Sequence, residues 1–103
     1  MTDTTHTLDL WLEQERAVRE RLDRGAGPGV ARPDQVAGKT GLEVMQGLLS
    51  GELPYATIAQ TLDFVLIEVS AGQAVFQGAP GQGHLNPMGT VHGGWFATLL
   101  DSA

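Results

Sequence analysis

Leu62-Asp-Phe-Val-Leu-Ile-Glu-Val69, followed by Ala71-Gly72 and then Gln73–Gln77, reads as two strands joined by a tight turn. The first run is rich in β-branched and apolar residues, the composition of a half-buried pleated surface. Ala71-Gly72 supplies the turn, so the pair is expected to be an antiparallel hairpin. Beyond it lies a loop of twelve residues, Gly78–Gly89, rich in Gly and Pro. A loop that long in a small domain is often functional. After His92-Gly93-Gly94 the run Trp95–Ala103 reads as an apolar helix, expected to be buried almost all round. Strands together with helices make the fold class α+β.

Upstream of the hairpin the pattern is helical. Residues 1–6 are polar and expected to fray. Leu8, Trp11, Leu12, Val18 and Leu22 then fall at helical spacing, and Gly25 stops the helix. Gly25–Gly38 contains Gly-Ala-Gly-Pro-Gly and Arg-Pro-Asp and reads as a loop or linker. Thr40-Gly-Leu-Glu43 has the spacing of a capping box and opens a second helix, with Leu42, Met45, Leu48 and Leu49 facing inward. Gly51 and Pro54 close it. Two segments follow: an N-terminal helical extension over 1–54 and a second unit over 55–103.

The charge balance narrows the functional classes. The chain has 103 residues, 12 acidic and 6 basic, for a formal charge of −6. Nucleic-acid binding needs clustered Lys and Arg. Here Arg16, Arg19, Arg21 and Arg24 alternate with Glu13, Glu15, Glu20 and Asp23, as on a solvated helix face. There is no cysteine, which rules out thiolate catalysis and Cys-based metal sites. The N-terminus has no basic start followed by an apolar run, so no secretory signal is expected. No apolar stretch is long enough for a bilayer. The expectation is a cytoplasmic protein with neither nucleic-acid nor membrane partner.

Chemistry concentrates between Asn86 and Asp101. From Val69 to Leu100 there is no Asp, Glu, Lys or Arg, so Asp101 is the first charge after a long neutral run. On a buried helix such a carboxylate must be paired, hydrogen-bonded or kept for a purpose. Near a helix end it could equally face solvent. His92-Gly93-Gly94 opens the same helix. First-turn N–H groups lack intrahelical partners and favour negative charge. They could hold a carbonyl oxygen as it becomes an oxyanion. A Gly-Gly pair is also what a loop-to-helix junction needs for its backbone angles alone. Gly93 and Asp101 stand roughly 12 Å apart along one helix. A reacting carbonyl must sit about 3 Å from both donor and attacking group. If both act on it, two antiparallel copies of the helix could supply them, as in a twofold dimer.

The segment Asn86-Pro-Met-Gly-Thr-Val-His92-Gly93-Gly94-Trp-Phe-Ala-Thr-Leu-Leu-Asp101 resembles the signature of PaaI-type hotdog thioesterases. Those proteins carry Asn, then His-Gly-Gly, then an acid on the central helix at this spacing. The similarity covers about residues 55–103. It implies a hotdog fold, an antiparallel sheet wrapped around a central helix, here cut short after that helix begins. It implies hydrolysis of acyl-CoA to a carboxylic acid and free coenzyme A, without cofactor or metal, in homodimers or homotetramers. By the same resemblance Asp101 is nucleophile or general base, and Gly93 N–H polarises the thioester carbonyl. Asn86 positions water or thioester, and His92 orders the loop. The family's later strands, which carry another polar active-site residue and part of the CoA surface, do not occur in this sequence.

Two other functions compete: a non-catalytic hotdog module binding acyl-CoA or acyl chains, and an inactive truncated fragment. Gly81-Gln-Gly83 lacks the third glycine of a dinucleotide fingerprint, and no Gly-Lys-Ser/Thr marks a P-loop. His84, His92 and Asp101 match no metal-ligand spacing, and loop histidines are usually just polar. Trp11 and Trp95 read as core or interface anchors.

Overall fold

A computed structural model describes residues 4–103. In chain order these form α1 (Thr4–Asp23), α2 (Pro33–Val36), α3 (Gly41–Ser50), α4 (Thr57–Leu62), β1 (Phe64–Ser70), β2 (Gln73–Gly78), a 3₁₀ turn (Gln82–His84) and α5 (Gly93–Ser102). The architecture is α+β with a two-stranded antiparallel sheet. Residues 4–6 are already helical, not frayed; the expectation for residues 1–3 lies outside the described residues. No described helix is long and apolar enough to cross a membrane.

The hairpin is the expected one, with Val69 opposite Ala74 and Ser70 opposite Gln73. Gly72 takes φ 77° at the turn, a conformation open to glycine at little cost. The register shifts between Leu66 and Glu68, leaving Ile67 as a bulge. Phe64 to Ile67 are four consecutive buried residues, so this end of the strand is covered on both faces. Val65 and Ile67 pack with Val18 and Leu22 of α1, and Leu49, Tyr55 and Val75 close around them. This core joins residues from both sides of Pro54. Phe64 and Leu66 line a cavity of about 250 Å³, walled also by Met45, Leu48, Ala59 and Phe76. Phe76 meets Phe64 edge to face at 6.1 Å.

Strand β1 begins later than the sequence suggests. Leu62 belongs to α4, and Asp63 takes a left-handed φ of 58° as the cap of that helix. The left-handed turn, rare outside glycine and Asn/Asp, swings the chain from helix into strand. Arg19 holds it from α1, through Asp63 Oδ1 at 3.0 Å and Asp63 O at 3.3 Å, while Glu15 on the same helix steadies the guanidinium at 2.8 Å. Arg16 instead pairs with Glu13 and Glu20 on the solvent face. The buried apolar contacts of α1 come from Val18 and Leu22 in its C-terminal half; farther up, Trp11 O accepts from Gln77 Nε2 at 2.9 Å, while the Leu8, Trp11 and Leu12 side chains stay about half exposed.

Gly25–Gly38 is more ordered than a linker. It contains α2, with Pro33 at its first turn. Ala26 N–H donates to Gly51 O, and Gly29 N–H to Tyr55 O, both at 2.9 Å, fastening the segment to the α3–α4 connection. In α3, Gly47 is the buried residue because Leu53 lies against it; a Cβ there would meet Leu53 Cδ1 at 2.8 Å. Met45, Leu48 and Leu49 are half-buried, whereas Leu42 is exposed.

The capping box forms as read. Glu43 N–H donates to Thr40 Oγ1 at 3.1 Å, and Thr40 N–H donates to Glu43 Oε1 at 3.0 Å. The Thr40 backbone bond, with the side-chain bond second, holds the Glu43 carboxyl below its ordinary 4.5. A depressed folded-state value gives a contribution that is present above pH 4.5 and lost as pH falls through the lower value. Amide exchange at Thr40 is expected to accelerate, relative to its intrinsic rate, as pH drops below that point. Glu43→Gln keeps an acceptor without the charge, and should remove the pH dependence.

Candidate functional site

Asn86 sits at the base of a small loop closed by an isolated bridge between Leu85 and Val91. Its backbone N–H donates to Thr90 O at 2.8 Å. Its Oδ1 accepts from Met88 N–H at 2.9 Å and Thr90 N–H at 3.2 Å, and its Nδ2 donates to Thr90 Oγ1 at 2.8 Å. An amide side chain offers two N–H donors and two acceptor lone pairs. Three of those four are spent inside the loop, which leaves one N–H for anything outside. Most of what Asn86 does is therefore to shape the turn Pro87-Met88-Gly89.

That turn delivers the chain to α5. His92 has extended backbone angles, and its Nδ1 accepts from Gly94 N–H at 2.8 Å. It is thus the N-cap, a position Ser, Thr, Asp and Asn usually fill. With Nδ1 accepting, the ring proton lies on Nε2. His92 O accepts from Trp95 N–H at 2.9 Å. Among the first three N–H groups of the helix, those of Gly94 and Trp95 are thereby satisfied. Gly93 N–H, the first, has no acceptor among the described residues, and the space beside its Cα is open.

α5 divides cleanly into two faces. Trp95 is buried at 5 %, and Thr98, Leu99 and Ser102 are half-buried beside it. Trp95 Nε1–H donates to Leu62 O at 2.7 Å and fixes the helix to the end of α4. Gly93, Phe96, Ala97, Leu100 and Asp101 are exposed on the other side, Phe96 at 50 % and Leu100 at 75 %. Spacing of three and four residues puts these on one surface. The helix is therefore not buried all round, because apolar composition does not say which face is covered. Asp101 is likewise exposed, its carboxylate without a hydrogen bond or ion pair among the described residues. Asp101 is therefore not a buried, paired carboxylate.

The four candidate residues are only partly gathered. Asn86, His92 and Gly93 share the loop and the start of α5. Asp101 stands at the far end of the same helix, roughly 12 Å away by helical rise, on the same exposed face as Gly93. His84, weighed from the sequence only as a metal ligand and set aside, touches both α4 and the His92 turn. Nothing in its local pattern marked that role, since its partner Thr61 lies 23 residues earlier. Among the described residues no group of three His, Asp or Glu could hold a metal ion.

No protein-family model, curated protein or solved structure matches the chain. A functional assignment therefore rests on the spacing from Asn86 to Asp101 and on the geometry at the two ends of α5.

Proposed function

We propose that this chain carries the front part of a hotdog acyl-CoA thioesterase, with α5 as the start of its central helix. The observation that supports the reading most is the distribution of N–H groups at the head of α5. The His92 cap occupies Gly94 N–H and leaves Gly93 N–H open toward solvent. A single preorganised backbone donor at a helix start suits a thioester carbonyl that gains negative charge when attacked. Asp101 is the attacking carboxylate or the base for water. Asn86 contributes its remaining N–H.

Each active site is built from two copies. Gly93 and Asp101 face the same way but lie too far apart to serve one carbonyl. An antiparallel second α5 lays its Asp101 beside the first copy's Gly93, and two equivalent sites result. Phe96, Ala97 and Leu100 give the apolar contact between the helices; exposed apolar surface of that kind marks association sites.

The direct test follows thiol release from acyl-CoA esters of varied chain length. Saturable release of free coenzyme A is expected. Acyl-CoA binding without thiol release would instead favour a binding module and overturn the enzymatic reading.

A further inference from the structure

We infer that His84 is a positioning residue for the Gly93 end of α5, acting through the last carbonyls of α4; the inference rests on the catalytic reading of Gly93. The end of a helix leaves its final carbonyls without intrahelical donors. In α4 two of these, on consecutive residues, are met by ring N–H groups. His84 Nε2 lies 3.1 Å from Thr61 O, and Trp95 Nε1 lies 2.7 Å from Leu62 O. The two rings stand 6.3 Å apart.

The His84 ring is engaged on both sides. Its Nδ1 accepts from Gly81 N–H at 2.8 Å. Thr61 O can only accept, so the ring proton must sit on Nε2. The side chain thereby pins the 3₁₀ turn Gln82–His84 between the start of the long loop and the end of α4. From that pinned position His84 O accepts from His92 N–H at 2.8 Å. His92 is the residue that caps α5 and leaves Gly93 N–H open. A continuous chain of hydrogen bonds thus runs from Thr61 through His84 to His92. Trp95 supplies a parallel tie one residue along α4.

A donor aimed at an oxyanion must be held closely, and a displacement of about 1 Å can cost ~10²-fold in rate. Loosening His84 should therefore slow the chemical step more than it weakens substrate binding. Three variants separate the two ends of the ring. Gln reaches as far as Nε2 and can still donate to Thr61 O. Asn places an acceptor near Nδ1 but falls short of Thr61. Ala does neither.

The experiment combines amide exchange with steady-state kinetics on an acyl-CoA ester. For His84→Asn and His84→Ala, exchange at His92 and Gly94 is expected to accelerate while Phe64–Ile67 stays protected. Their kcat should fall roughly ten- to a hundredfold with KM nearly unchanged. His84→Gln should recover most of both. Should Ala disrupt the fold, the Asn and Gln pair still decides. Unchanged exchange at His92 and Gly94 in the Asn variant overturns the inference, as does equal loss in Asn and Gln. A protein that releases no thiol refutes the thioesterase reading, and the exchange pattern then still tests the His84 tie by itself.

Discussion

Asp101→Asn is expected to lower turnover on acyl-CoA by ~10²–10⁴-fold, the range for groups that transfer protons, and to leave the fold unchanged. Asp101 is exposed in the last turn of α5 and makes no native contact that Asn would break. Exposed substitutions of this kind usually shift stability by no more than about 0.5 kcal/mol. Lost activity would thus report chemistry rather than unfolding. Thermal unfolding of both proteins, measured beside thiol release, makes the comparison. Near-normal turnover in the Asn variant would remove Asp101 from the mechanism and leave the site without an acid.

The same residue shows where the sequence could be read and where it could not. Local chemistry was legible. Thr40 and Glu43 form their box because both partners lie within one turn. The hairpin turn falls at Ala71-Gly72 because only a tight reversal connects the two apolar runs. The helix after His92 follows from the apolar run that begins at Trp95. Coverage was not legible. Phe96 and Trp95 are adjacent aromatic residues, yet one is half exposed and the other buried, and only the position of α4 decides which. α4 itself escaped notice because six residues with a single buried alanine give no periodicity. Its terminating Asp63, in a left-handed conformation, sits inside what looks like a continuous strand. Asn86, legible as a candidate, spends most of its hydrogen-bonding capacity on its own loop. Bonds spanning 23 and 33 residues, from His84 and Trp95 to α4, leave no local trace in the sequence.

Gly93→Pro should lower turnover by ~10²–10³-fold, the usual cost of deleting one oxyanion donor, with little change in stability. Proline removes the one N–H in question. Gly93 is the first residue of α5, where proline is tolerated because that N–H has no helical acceptor. The preceding residue must be extended, and His92 already has φ −62° and ψ 133°. No neighbour lies within 4 Å of a Cβ at this position. Gly93→Ala keeps the N–H and should stay close to wild type, which separates loss of the donor from loss of glycine. The pair also tests the shared site. In a mixed dimer of Gly93→Pro and Asp101→Asn chains, one site keeps a whole Gly93 and a whole Asp101 while the other loses both. Random exchange between the two inactive proteins should then restore about a quarter of wild-type activity. Sites contained within one copy would gain nothing from mixing, so no recovery, with subunit exchange shown by differently labelled chains, would rule out the antiparallel arrangement of α5.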